Sequence, residues 1–187
     1  MEEKLQKLYK ECLDELKSIN INLDENEIGK IDISFAKRKT KRYGCCRQED
    51  PDKKTAYRKR RIIYYRKYNK HHIEISKWLM DLNDEIIKNT IMHEIIHCFP
   101  DCNNHGKTFK MYSKIINQKL GYDISRLGNK EEDYKKSNLE YNQENTKFKY
   151  KIVCEKCGLI YYRQRLFKNF EKKYRCGKCR GKLRILS

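Results

Sequence analysis

The sequence predicts an α+β fold, in which helices pack on a small sheet and a second, smaller unit follows at the C-terminus. Two observations support this prediction. Along residues 1–128 the apolar pattern is first helical, then strand-like, then helical twice more. A polar stretch at 129–147, rich in Lys, Glu, Asn and Ser, then precedes a cysteine-bearing unit at 148–187, and we interpret this stretch as a linker.

The elements of the first part follow from its apolar spacing. An amphipathic helix is predicted over residues 3–19, with Cys12 in the core beside its leucines. A basic loop with Pro51 at a turn is predicted in the middle of the strand region. Strand patterns are found at 30–36, 61–65 and 72–75, with a further extended segment at 42–47.

The most apolar pattern, at 81–99, predicts a buried helix. Asn83 or Asp84 would cap its start, and Pro100 would stop it. A turn then leads into another amphipathic helix at 106–120. The apolar positions that recur at helical spacing are Ile86, Ile87, Ile91, Ile95, Ile96 and Phe99.

This predicted helix carries an HExxH sequence formed by His93, Glu94 and His97, and His105 follows in a His-Gly-x-x-Phe setting. Positions i and i+4 lie on one helical face, so His93 and His97 can bind the same metal ion. The turn after the helix could bring His105 back as a third ligand. A carboxylate beside a zinc-bound water can act as general base, which is the role predicted for Glu94. The motif therefore predicts a catalytic zinc site for peptide hydrolysis.

Two alternatives stay open for this box. Its histidines could be core or surface residues that bind no metal. Cys98 or Cys102, which flank the box, could compete as a ligand, although His105 is preferred because it precedes a helix that would hold it rigidly. A site of three histidines also accepts manganese, cobalt or nickel.

Two CxxC pairs in the C-terminal unit predict a second metal site. Each pair can form a tight turn that presents two thiolates, and four thiolates close a tetrahedral zinc shell. Because such a shell has no open position, this zinc would be structural and would hold a zinc ribbon together. The predicted ligands are Cys154, Cys157, Cys176 and Cys179.

Other cysteines and histidines are expected to have packing roles. Cys45 and Cys46 are adjacent and would face opposite sides of a strand, so they are not expected to chelate together. His71 and His72 precede an alternating segment and are expected at the start of a strand rather than at a metal.

The net charge of +18 is concentrated in two blocks. Residues 37–70 hold 15 Lys/Arg and 3 Asp/Glu, and residues 147–187 hold 14 and 2, so each block carries +12. Such blocks attract nucleic acids through counterion release, and interleaved tyrosines can stack on bases. The alternative is a solvated basic face. The predicted nucleic-acid contacts are Arg58, Lys59, Arg60, Arg61, Tyr161, Tyr162, Arg163 and Arg165.

Length and composition set the class of protein. The 187 residues suffice for one ordinary domain and a small appendage. No apolar run has the length of a membrane helix, and the first residues do not form a secretory signal. We therefore expect a monomeric intracellular protein, cytoplasmic and nucleoid-associated or nuclear, that does not bind membranes. The spacing of its nine cysteines argues for metal binding by some of them rather than for disulfides.

Together these motifs resemble the SprT-like metalloproteases, the family that includes Spartan. The resemblance covers nearly the whole chain. It also includes the segment ISFAKRKTKRYGCC, which is similar to the family's sheet ahead of the catalytic helix. The motifs that carry it are HEIIHC at 93–98, HGKTF at 105–109, CEKCG at 154–158 and CGKCRGKL at 176–183.

The resemblance implies a minimal zincin-type fold in which His93, His97 and His105 bind zinc and Glu94 is the general base. Family members are DNA-associated, and the Spartan branch degrades proteins crosslinked to DNA. For this chain it implies a zinc endopeptidase that acts on DNA-bound proteins, with single-stranded or junction-containing DNA as partner. No ubiquitin-binding or clamp-binding motif of that branch is visible in the sequence.

Two other functions stay open. The first is a nucleic-acid-binding zinc protein with a non-proteolytic or regulatory HExxH site. The second is a zinc peptidase that uses no nucleic acid. The sequence assigns no residue as oxyanion stabiliser, although Tyr112 and Tyr122 are candidates.

Overall fold

Helices and short strands alternate in the computed structural model, which describes residues 1–38, 40–125, 128–141 and 149–186. The predicted α+β class is confirmed. The chain divides into two compact units, Met1–Tyr141 and Asn142–Ser187. Among the described residues, no helix has both the length and the apolar character needed to cross a membrane.

A three-stranded sheet forms the centre of the first unit. Its strands are β1 (Lys30–Phe35), β2 (Gly44–Pro51) and β5 (Tyr68–Ile75), in the order β1-β5-β2. β5 pairs in parallel with β1 and antiparallel with β2. As the middle strand it carries the fully buried Ile73 and Ile75, whereas β2 lies at the edge of this sheet.

Three long helices complete the core of this unit: α1 (Glu2–Ser18), α3 (Asp84–Ile96) and α4 (Lys107–Leu120). A short helix, α2 (Glu25–Ile28), precedes β1, and 3₁₀ turns span Lys53–Thr55 and Lys77–Asp81. The apolar faces of α1, α3 and α4 are the source of most of the buried cluster, as their helical spacing predicts.

The two ends of α3 determine where the residues of the HExxH sequence lie. The side chain of Asn83 accepts a hydrogen bond from the Ile86 amide at 3.0 Å, so the predicted cap is confirmed. The helix ends at Ile96, three residues earlier than predicted, because the amides of Cys98 and Phe99 bond to carbonyls three residues back. His97 is therefore the C-cap residue.

A separate hairpin is formed by β3 (Ala56–Lys59) and β4 (Ile62–Tyr65). The prediction of a basic loop with Pro51 at a turn was wrong: Pro51 ends β2, and the basic segment that follows includes β3. Every residue of β3 is exposed, so the strand lacks the alternation from apolar to polar that would have revealed it.

Part of the predicted linker is a helix of the first unit. α5 (Lys130–Lys136) is capped by Asn129, whose side chain accepts from the Glu132 amide. Tyr134 stacks on Trp78, with ring centroids 6.3 Å apart. The acidic first turn and basic last turn of α5 suit a helix, although so polar a segment also has the composition of a linker.

The second unit has its own three-stranded antiparallel sheet. Its strands are β6 (Tyr150–Cys154), β7 (Ile160–Arg163) and β8 (Leu183–Ile185), in the order β7-β6-β8. A short helix, α6 (Phe170–Lys173), lies between β7 and β8 in sequence. The buried cluster of this unit is small and consists of Ile152, Cys154, Cys176 and Leu183.

Candidate metal centre and cleft

The three histidines predicted to bind the catalytic metal converge in the first unit. His93 lies in the last turn of α3, His97 is its C-cap residue, and His105 precedes α4. Their ligand atoms all lie within 4.8 Å of one another, and the Nε2 atoms of His93 and His105 are 2.9 Å apart. Three imidazoles at this separation can bind one metal ion.

Backbone contacts orient two of these rings. The Nδ1–H of His97 donates to the Cys102 carbonyl at 2.6 Å, which leaves its Nε2 available as a ligand. His93 makes a backbone hydrogen bond with Ser125. Burial lowers the pKa of His93 to about 4 and also lowers the pKa of His97, so both rings are neutral at pH 7, as metal ligands must be.

Phe109 on α4 supports all three rings. Its centroid lies 4.9 Å from that of His93, 4.7 Å from that of His97 and 4.7 Å from that of His105. Its side chain is buried. The His-Gly-x-x-Phe sequence therefore supplies both a donor and the apolar wall behind the donor set.

Glu94 is buried beside this donor set, with 6% of its surface exposed. Burial and, to a lesser extent, the charge of Cys46 raise the pKa of its carboxyl to about 8, although the backbone N–H of Cys46 bonds to it. Gly44 on β2 lies against the same side chain. No sequence signal marks Gly44 as a neighbour of Glu94, because only the fold shows which helix faces that strand.

A cleft of about 770 Å³ opens in front of these residues. One wall is the start of β2, and others come from α3, from the loop that carries His105 and from α5. Neither candidate oxyanion stabiliser lines it. Tyr112 stacks on Phe99 instead, and the Tyr122 hydroxyl bonds to the Glu15 carboxylate and contacts Cys12, because both rings fill the core around α4 and α1.

The second unit gathers the four cysteines of the two CxxC pairs. Their sulfur atoms all lie within 4.8 Å of one another. Cys154 and Cys179 are 3.4 Å apart, and Cys157 and Cys176 are 3.6 Å apart. This arrangement can bind one metal ion with four thiolates.

The residues predicted to bind nucleic acid lie at two places. Arg58 and Lys59 are on β3, and Arg60 and Arg61 form the turn between β3 and β4. The others lie on β7 or just after it: Tyr161, Tyr162, Arg163 and Arg165.

The contacts of Tyr161 favour a different role. Its hydroxyl lies 3.1 Å from the Cys176 sulfur and accepts a hydrogen bond from the Gly177 amide. Its ring packs against the small core of the second unit. Tyr161 therefore belongs to the cysteine cluster, whereas Tyr162 is 47% exposed.

A third group of donors was not predicted. Cys46, His71 and Cys98 have ligand atoms within 4.8 Å of one another. The expectation that His71 lies at the start of a strand is wrong, because β5 begins at Tyr68; His71 lies within this strand, buried, beside both thiols. These residues are far apart in sequence, and only the pairing of β2 with β5 brings two of them together.

The first unit also matches a known family. The model of the SprT-like family matches residues 4–128. Two curated relatives carry the description "Protein SprT-like". The protein of Oceanobacillus iheyensis is 31% identical over 122 residues, which cover 62% of this chain and 69% of that protein. The protein of Lactococcus lactis subsp. lactis is 62% identical over 37 residues, which cover 20% of this chain and only 24% of that protein. No solved structure gives a significant match to the chain.

Proposed function

The chain belongs to the SprT-like family, a family of metalloprotease type, and from this premise we propose that it is a zinc-dependent endopeptidase. The observation that supports the proposal is the convergence of His93, His97 and His105 within 4.8 Å, beside the buried Glu94. In this proposal the first unit has a zincin-like fold, and the four cysteines of the second unit hold a structural zinc in a ribbon.

The proposed roles follow from the chemistry of each side chain. Zinc, when bound to the three imidazoles, supplies Lewis acidity and lowers the pKa of a bound water. Glu94 would accept a proton from the attacking water and donate it to the leaving amine. Burial raises the pKa of this carboxyl and so makes its ionised form a stronger base, and the positive charge of a bound zinc would favour that ionised form.

The substrate proposed for the cleft is an extended polypeptide. β2 is an edge strand, and its residues 44–46 and 48 line the cleft. An extended chain can add to such an edge through main-chain hydrogen bonds, which bind many sequences alike. This would place a peptide bond beside Glu94 without a deep specificity pocket.

DNA is the proposed partner that brings substrates to the enzyme. The β3–β4 hairpin carries Arg58, Lys59, Arg60 and Arg61 in a row, and the exposed Ile62 and Ile63 follow. Positive charge beside exposed apolar and aromatic side chains suits a phosphate backbone with accessible bases. In the second unit, Tyr162, Arg163 and Arg165 are exposed and offer a similar combination. We propose that the substrates are DNA-bound proteins, crosslinked ones included, in the cytoplasm beside the nucleoid or in the nucleus.

The test is cleavage of a DNA-binding protein by the zinc-loaded chain, with and without single-stranded DNA. We expect DNA to stimulate cleavage and Glu94→Gln to reduce it by about 10²-fold or more. Glu27→Gln changes an exposed glutamate of α2 in the same unit and is the matched control. His105→Ala should abolish both cleavage and binding of the catalytic zinc.

Other outcomes would favour the alternatives. Salt-sensitive DNA binding without cleavage of any protein would indicate a nucleic-acid-binding regulator. Cleavage that is unaffected by charge reversal at Arg58, Lys59, Arg60 and Arg61 would indicate a peptidase that uses no nucleic acid.

A further inference from the structure

Cys46, His71 and Cys98 form a compact donor set at the junction of three elements. Cys46 lies on the edge strand β2, His71 on the central strand β5, and Cys98 just after α3. The Cys46 sulfur is 3.7 Å from the Cys98 sulfur and 3.9 Å from His71 Nδ1. These two contacts join the sheet to the end of the helix that carries the HExxH sequence.

The strand register explains this convergence. Cys46 pairs with Ile73, so His71, two residues earlier on β5, points to the same face of the sheet. Cys45 pairs with Glu74 and points to the opposite face. The adjacent cysteines therefore have different surroundings, and only Cys46 belongs to the donor set.

The His71 ring is fixed in the tautomer that a ligand needs. Its Nε2–H donates to the Ile28 carbonyl at 2.7 Å, so the lone pair of Nδ1 points toward the two sulfurs. His71 is 1% exposed and Cys98 is 2% exposed. A histidine that binds a metal almost always donates its second ring N–H in this way.

We propose that Cys46, His71 and Cys98 bind a zinc ion, distinct from the ions of the histidine site and the four-cysteine site. Zinc binds sulfur at about 2.3 Å, so two thiolates on one tetrahedral ion lie about 3.8 Å apart. The observed 3.7 Å separation fits without movement of the backbone. Two thiolates also neutralise a divalent ion, which removes the cost of burying an unpaired charge.

The proposed ion would have a structural role behind the catalytic site. Cys98 lies one turn after Glu94, and its sulfur is 3.6 Å from the Glu94 carbonyl. Cys46 lies two residues after Gly44 and bonds through its backbone to the Glu94 carboxyl. An ion held by both cysteines would fix β2 at a set distance from α3 and thereby position the carboxylate. This role depends on the proposed function, whereas binding of the ion does not.

The test counts zinc per chain by native mass spectrometry of the full-length protein, purified and kept under reductant. We expect about three ions in the wild type and about two in Cys46→Ser and Cys98→Ser. Cys45→Ser, on the neighbouring position of β2, is the matched control and should keep about three. A wild type with about two ions, or equal counts in Cys98→Ser and Cys45→Ser, would overturn the proposal.

A second measurement on the wild type avoids variants that fail to fold. Cadmium NMR of the cadmium-loaded protein distinguishes sites by the number of sulfur donors, so we expect a separate signal for a site with two sulfurs and one nitrogen. Its absence, together with a disulfide that joins Cys46 to Cys98, would overturn the proposal and assign this pair to redox chemistry. If the third ion is present but no protein is cleaved, only the proposed endopeptidase function fails.

Discussion

Gly44 lies so close to Glu94 that no side chain fits between them. A Cβ atom at position 44 would lie 2.9 Å from Cγ and 2.9 Å from Oε1 of the glutamate. The backbone of β2 thus forms one wall of the site at the carboxylate, and the same strand supplies the Cys46 amide that bonds to it. Close approach of a backbone is a common reason for glycine in a strand.

Gly44→Ala should therefore reduce proteolysis with little effect on metal binding. The added methyl group would displace the Glu94 carboxylate, and a displacement of about 1 Å can lower kcat by about 10²-fold. The three atoms nearest to the added methyl group all belong to Glu94, so zinc content should stay at the wild-type level. Steady-state cleavage and zinc analysis of the same preparation check this prediction. Wild-type kcat in the variant would contradict the role assigned to the Gly44–Glu94 contact.

Glu94→Gln should stabilise the metal-free protein at high pH. Burial raises the pKa of this carboxyl from 4.5 to about 8, so between these values the native state holds a proton that the unfolded state has released. The wild type therefore loses stability as pH rises through this window, and the amide variant does not.

We expect a difference in unfolding free energy below about 1 kcal/mol at pH 5 and of about 2–4 kcal/mol at pH 8. Urea unfolding in the presence of a chelator measures this difference in free energy. The fluorescence of Trp78 reports the unfolding of the first unit. A difference that stays constant from pH 5 to pH 8 would show that Glu94 does not titrate in this range.

Local sequence signals were sufficient for the parts of the site that lie close together in the chain. The spacing of His93 and His97 places them on one helical face, and Asn83 marks the helix start. Signals of this kind need only helix geometry. In contrast, the contact of Cys46 with Cys98 depends on which strand forms the sheet edge and which helix covers it, and no periodicity of the chain encodes that.

The same distinction applies to two tyrosines. Tyr122 is only a candidate oxyanion stabiliser in the sequence, and the fold places it beside Glu15 of α1, more than a hundred residues away in sequence. Tyr161 and Tyr162 lie among basic residues, and for that reason both are predicted to stack on bases. On a strand, however, adjacent side chains face opposite sides, and Tyr161 faces the cysteine cluster.

The turn of the β3–β4 hairpin offers a test in which stability and DNA binding change in opposite directions. Arg60 and Arg61 have φ values of +53° and +71°, the left-handed region that a two-residue hairpin turn of type I′ requires. Asn-Gly is the preferred pair there, and each arginine costs about 1 kcal/mol or more in this conformation. The double substitution Arg60→Asn with Arg61→Gly should slow hydrogen exchange in the hairpin and weaken DNA binding.

The salt dependence of DNA affinity measures how many phosphate contacts the Asn-Gly variant has lost. Two lost phosphate contacts should reduce the slope of log K against log salt concentration by about 1.4–1.8. Arg60→Lys with Arg61→Lys keeps the charge and should keep most of the slope. Wild-type DNA affinity in the Asn-Gly variant would show that this hairpin does not contact DNA.

Tyr161→Phe should weaken metal binding in the second unit, whereas Tyr162→Phe should not. The Tyr161 hydroxyl lies 3.1 Å from the Cys176 sulfur, where it can donate to a metal-bound thiolate and stabilise its charge. Loss of such an outer hydrogen bond lowers metal affinity by about 10-fold or more. Competition with a chelator measures this change in affinity. Tyr162→Phe is the control, and its second unit should retain zinc because Tyr162 faces away from the cysteine cluster. Equal zinc affinities in the two variants would mean that the Tyr161 hydroxyl does not stabilise the thiolates.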